Sequence, residues 1–86
     1  MRPPTIDDVA LAIVGFLNAE IMAAGHGVNP DNGLAAAGVD SMALLKVLLF
    51  IERTYGFWVP DEDLVHQNVA TARALARYVT DRLSAG

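Results

Sequence analysis

The chain has 86 residues, of which 53% are hydrophobic, so a single folded domain on one core is expected and disorder is excluded. It contains no cysteine, which excludes disulfides and thiolate metal sites and is compatible with a reducing cytosol. A net charge of -4 argues against nucleic acid as a partner, because phosphate binding needs a surplus of Lys and Arg.

The opening Met1-Arg2-Pro3-Pro4-Thr5 lacks the apolar core of a signal peptide, and no apolar run approaches the length that spans a membrane. A cytoplasmic location without membrane insertion is the expectation. Thr5 followed by Ile6-Asp7-Asp8 reads as an N-cap with acids in the first helical turn. Apolar residues then recur with the helical period at Ile6, Val9, Ile13, Phe16, Leu17 and Ile21, which predicts a first helix over about 6–24. Gly25, Gly27 and Pro30 end it and open a long connection to Asp40. A connection of that length in a small domain points to function. Leu34 is its expected anchor on the core, and Ala35-Ala36-Ala37 suit a helical turn before Gly38.

A second helix is expected over 41–55, closing at Gly56, followed by an extended Phe57-Trp58-Val59-Pro60 because proline disfavours helix at the residue before it. Core filling is the expected role of Trp58, since tryptophan is highly buried on average. Asp61, Glu62 and Asp63 after Pro60 predict a short third helix over 61–66 with an acidic first turn. The last helix is expected over 71–83, with Leu75, Tyr78 and Val79 inward and Arg73, Arg77 and Arg82 outward or near its end. The fold class is therefore all-α: a small bundle of three longer helices and a short one. Met1 and the short tail Ser84-Ala85-Gly86 suggest an independent small protein, although an excised domain would look the same.

The informative stretch is Gly38-Val39-Asp40-Ser41-Met42, ahead of the most apolar helix of the chain. Either Asp40 or Ser41 would serve as its N-cap, and Leu44 stands where a capping box would need Glu or Gln. A lone serine here has no catalytic company, but it is a good point of covalent attachment. A phosphodiester on Ser41 would meet the positive end of the helix and its backbone N–H groups. Asp40 is placed to help hold a divalent cation during phosphate transfer to the hydroxyl.

These residues resemble the acyl and peptidyl carrier protein family, whose mark is Asp-Ser-Leu or a near variant at the start of the second helix. Here the triplet is Asp40-Ser41-Met42. The resemblance continues through Leu34, Tyr55-Gly56, Val59-Pro60-Asp61-Glu62-Asp63 and Val69-Ala70-Thr71, nearly the whole domain. It implies a four-helix bundle of the acyl-carrier type with no catalysis of its own. It also implies 4′-phosphopantetheine derived from coenzyme A on Ser41, carrying acyl, aminoacyl or polyketide cargo as a thioester. Met42, next to the attachment point, would brush the arm. The implied partners are a phosphopantetheinyl transferase, an acyl- or aminoacyl-loading enzyme and a downstream synthase or transferase, met transiently by a monomer.

One departure is expected to matter. Leu44, Val47, Leu48, Ile51 and Tyr55 share the core face of the second helix, and the opposite face gathers Met42, Lys46, Leu49, Phe50 and Arg53. Fatty-acid carriers resemble one another in bearing acids there. An apolar and basic face, with Glu52 the helix's one acid toward its edge, marks a partner-contact site of another kind and a specialised pathway. Alternatively, Leu49 and Phe50 pack under the long connection. His26 and His66 have no partners at metal-ligand spacing, so no metal site is expected. A serine hydrolase fails for want of a G-x-S-x-G elbow. The remaining rival is an unmodified docking module using the apolar-basic face.

Overall fold

The computed structural model describes residues 3–22 and 27–85. Among them the chain is all-helical, with α1 at Ile6–Glu20, α2 at Ser41–Tyr55, a short α3 at His66–Val69 and α4 at Ala72–Ala85. A single 3₁₀ turn, Asp61–Asp63, precedes α3.

Thr5 caps α1 as expected. Its hydroxyl accepts from Asp8 N–H at 3.1 Å, and the Asp8 carboxylate accepts from Thr5 N–H at 3.0 Å, a reciprocal box that occupies two amides a helix start leaves unpaired. The helix is shorter than the expected 6–24. The Ile21 and Met22 N–H groups both donate to Leu17 O, at 2.9 and 2.8 Å, a wide turn that ends the helical ladder at Glu20. Residues 23 and 24 lie outside the described residues, as do Gly25 and His26.

The connection is tied down where it resumes. The Asn18 side chain takes both backbone groups of Val28, accepting its N–H at 2.8 Å and donating to its carbonyl at 3.2 Å. Gly27 lies so close to Asn18 that a Cβ there would stand 3.1 Å from the amide oxygen. Asn29 to Asn32 form a self-bonded turn, and Ala35–Ala37 make the expected helical turn, with Ala37 N–H donating to Gly33 O at 3.0 Å. Leu34 anchors this stretch: its side chain is 2% exposed and its N–H donates to Ala70 O at 2.8 Å.

α2 ends where the glycine allows it. Gly56 has φ +85°, a left-handed conformation that costs glycine little, and its N–H donates to Glu52 O at 2.9 Å. Beyond it the extended alternation decides which side chains go inward. Val59 is 1% exposed whereas Trp58 is 40% exposed, so Trp58 does not fill the core.

The expected third helix over 61–66 is broken in two. A continuous helix would offer the Asp63 carbonyl to the amide of Gln67; instead the Asn68 side chain takes that carbonyl at 2.9 Å, and Val65 is extended. The Asp63 carboxylate accepts from the Tyr78 hydroxyl, and Arg82 donates to that same hydroxyl at 3.2 Å while lying 5.0 Å over the Phe57 ring. Burial and then the Asp63 hydrogen bond push the Tyr78 phenol above its ordinary value. Tyr78 packs against the core as expected with Leu75 and Val79, but is only half-buried.

The core is built from Val9, Ala10, Ile13 and Leu17 of α1, Val47, Leu48 and Ile51 of α2, and Ala72, Leu75, Ala76 and Val79 of α4. Leu34, Val39 and Val59 close it from the connections. On α2 the buried set also includes Ala43, while Leu44 and Tyr55 sit half-buried at its margin. Because Leu34 is both apolar plug and loop anchor, Leu34→Ala should lower stability by about 2–4 kcal/mol in urea unfolding, a typical loss for a buried leucine. The exposed Leu49→Ala should change it by less than about 0.5 kcal/mol.

Candidate functional site

The connection and α2 meet at a turn that only part of the sequence pattern announces. Gly38 adopts φ +98°, which lets the chain reverse out of the Ala35–Ala37 turn. Val39 then drops into the core, with its N–H on Leu34 O at 2.9 Å, and the next two residues emerge at the surface.

Between the two candidate caps, the structure selects Asp40. Its Oδ1 accepts from Ala43 N–H and its carbonyl accepts from Leu44 N–H, both at 2.9 Å. Ser41 is consequently the first helical residue and is exposed, and its hydroxyl has no hydrogen-bond partner among the described residues. The Ser41 and Met42 N–H groups also have no partner among the described residues. They lie at the positive end of a fifteen-residue helix, where unpaired N–H groups favour an anion.

Ser41 stands on the rim of an open groove of about 620 Å³. One wall is the connection, with Gly33, Leu34, Ala35 and Ala36; the other is His66, Val69, Ala70 and Thr71. Val39 and Leu44 line it beside Ser41, and Asp40 completes the rim. The lining is small and apolar apart from that rim and the two polar side chains opposite. His66, which sequence reasoning set aside, thus reaches the same groove as Ser41. Among the described residues no three His, Asp or Glu side chains gather as a metal site.

The outward face of α2 differs from expectation by one residue on each edge. Met42, Leu45 and Leu49 are 66, 42 and 39% exposed, with exposed Lys46 and Arg53 beside them. Phe50 does not belong to this face. Its ring stacks on Phe16 of α1 at 4.8 Å and 24°, which leaves it half-buried. Leu45, which sequence reasoning missed, takes its place. At about 100° per residue, Leu45 lies between Ser41 and Leu49 on the helical wheel, so the signal was present. Leu49 lies not under the connection but beside a shallow recess of about 280 Å³, with Phe16, Glu20, Lys46 and Arg53.

A sequence model of the family described as "Phosphopantetheine attachment site" matches residues 12–79. The chain belongs to that family. It is therefore a carrier domain rather than an enzyme, and the group the family carries is phosphopantetheine. Two curated relatives are similar over 48 residues: the anthracycline acyl carrier protein DpsG of Streptomyces peucetius at 42% identity and the anthracycline acyl carrier protein DauA of Streptomyces sp. (strain C5) at 40%. Each match covers 56% of this chain and 55% of the relative, so the chain spans about half the length of the curated relatives it matches. The fold is shared with a chain in the crystal structure of Bradyrhizobium japonicum glycine:[carrier protein] ligase complexed with glycylated carrier protein. That likeness has a TM-score of 0.64 at 24% identity, covering 84% of this chain and 95% of that one.

Capping and charge at Asp40 are separable. Asp40→Ala should lower stability by about 1 kcal/mol in thermal unfolding, and Asp40→Asn, which keeps the side-chain acceptor, should stay near the wild type.

Proposed function

We propose that Ser41 is the attachment point of the phosphopantetheine arm and that the carrier serves a specialised pathway, holding acyl, aminoacyl or polyketide intermediates as thioesters. The observation that carries this reading is the division of labour at the α2 N-terminus: Asp40 caps the helix, and the Ser41 hydroxyl is left exposed and unbonded. The groove has the room and the chemistry for an arm with two amides and an aliphatic stem, and the two amides of Ser41 and Met42 suit its phosphodiester. Bound there, the arm supplies a thiol that can be acylated. Ser41 has no hydrogen-bonded base among the described residues, so the transferase must take the hydroxyl proton when the arm is installed. Asp40, adjacent to the reacting oxygen, would help hold the divalent cation of that transfer.

The naming of both curated relatives as anthracycline acyl carriers supports a polyketide-type pathway over primary fatty-acid synthesis. The α2 face supports the same choice. Met42, Leu45 and Leu49 form an apolar stripe with Ser41 and the exposed Glu52 along one edge and Lys46 and Arg53 along the other, the two cations opposite in sign to the chain's net charge of -4. Neither cation has an ion-pair partner among the described residues. Partners that dock on this stripe would offer an apolar cleft whose acidic edge lies across from the mouth that receives the arm. Loading enzymes and downstream synthases or transferases would meet a monomer transiently in the cytoplasm. No helix among the described residues is long and apolar enough to cross a membrane.

Incubation with coenzyme A, Mg²⁺ and a broad-specificity phosphopantetheinyl transferase should add the mass of one phosphopantetheine to the wild type and nothing to Ser41→Ala. Absence of any gain on folded wild-type protein would favour the unmodified docking module instead. In the same assay Leu45→Asp and Lys46→Glu should raise KM for the carrier about two- to tenfold with kcat held, the signature of a lost contact made equally before and during reaction. An unchanged KM in both would remove the α2 stripe from transferase docking.

A further inference from the structure

Arg73, one residue into α4, stands outside the groove yet joins three segments of the chain. Its Nη1 donates to Asp7 Oδ1 at 2.7 Å, at the start of α1. Its Nε donates to Asp31 Oδ1 at 2.7 Å and its Nη2 reaches Asp31 Oδ2 at 3.4 Å, on the connection. Its backbone N–H donates to Pro30 O at 2.9 Å.

The Asp31 end of this bridge is prearranged. Asn29 N–H donates to Asn32 Oδ1 at 2.8 Å and Asp31 N–H to Asn29 Oδ1 at 2.9 Å, so the turn presents the carboxylate without needing Arg73 to order it. From that turn the chain runs directly into Gly33 to Ala36, one wall of the groove at Ser41. The opposite wall, ending in Ala70 and Thr71, runs directly into α4 and Arg73. Arg73 therefore follows directly on one wall and grips the turn that leads into the other. Among the described residues, the polar links between the walls are Leu34 N–H to Ala70 O, Arg73 N–H to Pro30 O, and the Arg73–Asp31 fork.

We propose that Arg73 is a positioning residue for the carrier site: through Asp31 it sets the spacing of the two groove walls and holds the segment that ends in Asp40 and Ser41. The part concerning Ser41 rests on the attachment reading above; the part concerning the walls does not. The two carboxylates play different roles. Asp31 belongs to the turn that leads into the Gly33–Ala36 wall, whereas Asp7 belongs to α1, which the core already holds. The Asp7 and Asp31 side chains are 77 and 70% accessible and Arg73 between them 35%, so solvent screens both pairs and neither adds much to global stability. Opening of one wall is a local event, and there a modest link is visible.

The test compares Asp31→Asn with Asp7→Asn in the full chain, first by amide hydrogen exchange. Asp31→Asn should speed exchange at the Leu34 and Val39 amides about two- to fivefold, the span expected for loss of an exposed charge pair, while Asp7→Asn leaves them unchanged and both keep the wild-type Tm. Steady-state installation of the arm with coenzyme A and a phosphopantetheinyl transferase should show a higher KM for Asp31→Asn by a similar factor, with kcat retained, and no change for Asp7→Asn. Equal effects of the two substitutions, or exchange that merely follows a lowered Tm, would reduce Arg73 to a structural bridge and overturn the proposal. No effect of Asp31→Asn on exchange would overturn it as well. Failure of the wild type to accept the arm would instead strike the Ser41 reading, and the exchange comparison would still decide the wall.

Discussion

The docking of Leu34 is the contact on which the rest of this small domain depends. A buried leucine side chain and one backbone hydrogen bond to Ala70 hold the middle of the connection between α1 and α2 against the α3–α4 junction. That contact closes the core at the end where α2 begins. It also converts a long connection into one wall of a groove. Asn18 at the near end, through its two bonds to Val28, and Gly38 at the far end then limit where the chain can go. With both ends set, Val39 falls inward and Ser41 must emerge at the helix start. The exposure of one hydroxyl thus follows from apolar packing several residues away.

Electrostatics at that point are arranged by omission as much as by contact. Had Ser41 been the cap, its oxygen would be engaged with the helix backbone and poorly disposed to react. With Asp40 in that role, the carboxylate satisfies one amide and leaves two others open toward an anion. The same carboxylate belongs to the residue next to the exposed Ser41 hydroxyl. Elsewhere the charges are spent on structure: Arg73 binds Asp7 and Asp31, holding the Asp31 carboxyl below its ordinary value, and Arg82 lies near Asp63 and Tyr78. The cations of α2 stand outside these networks, which makes them available to a partner.

Much of this was legible in the residues themselves. The span of α2, its closure at Gly56, the Thr5 cap, the Leu34 anchor and the Ala35–Ala37 turn all follow from local signals, since caps, glycines and apolar spacing act over a few residues. What was not legible depends on contacts distant in sequence. The break between Asp63 and His66 accompanies capture of the Asp63 carbonyl by Asn68 and of its carboxylate by Tyr78, and neither partner can be seen from a run of three acids after proline. Trp58 turned outward because Val59 won the inward position, a choice made by the core rather than by residue type. Phe50 left the outward face of α2 because Phe16, thirty-four residues earlier, offered its ring a partner. The choice of Asp40 over Ser41 as cap was balanced in sequence and resolved only by the turn at Gly38. Leu45 is different: its place on the wheel between Ser41 and Leu49 follows from the sequence alone.

The central claim is that the cap at Asp40 leaves Ser41 as the hydroxyl that takes the arm, and locating the added group by fragmentation of the intact modified chain tests it most directly. The chain's other serine, Ser84, near the end of α4, serves as an internal control exposed to the same enzyme. The account predicts that the whole of the added phosphopantetheine mass maps to the fragment holding Ser41. Modification at Ser84 or at a threonine, with Ser41 untouched, would contradict it.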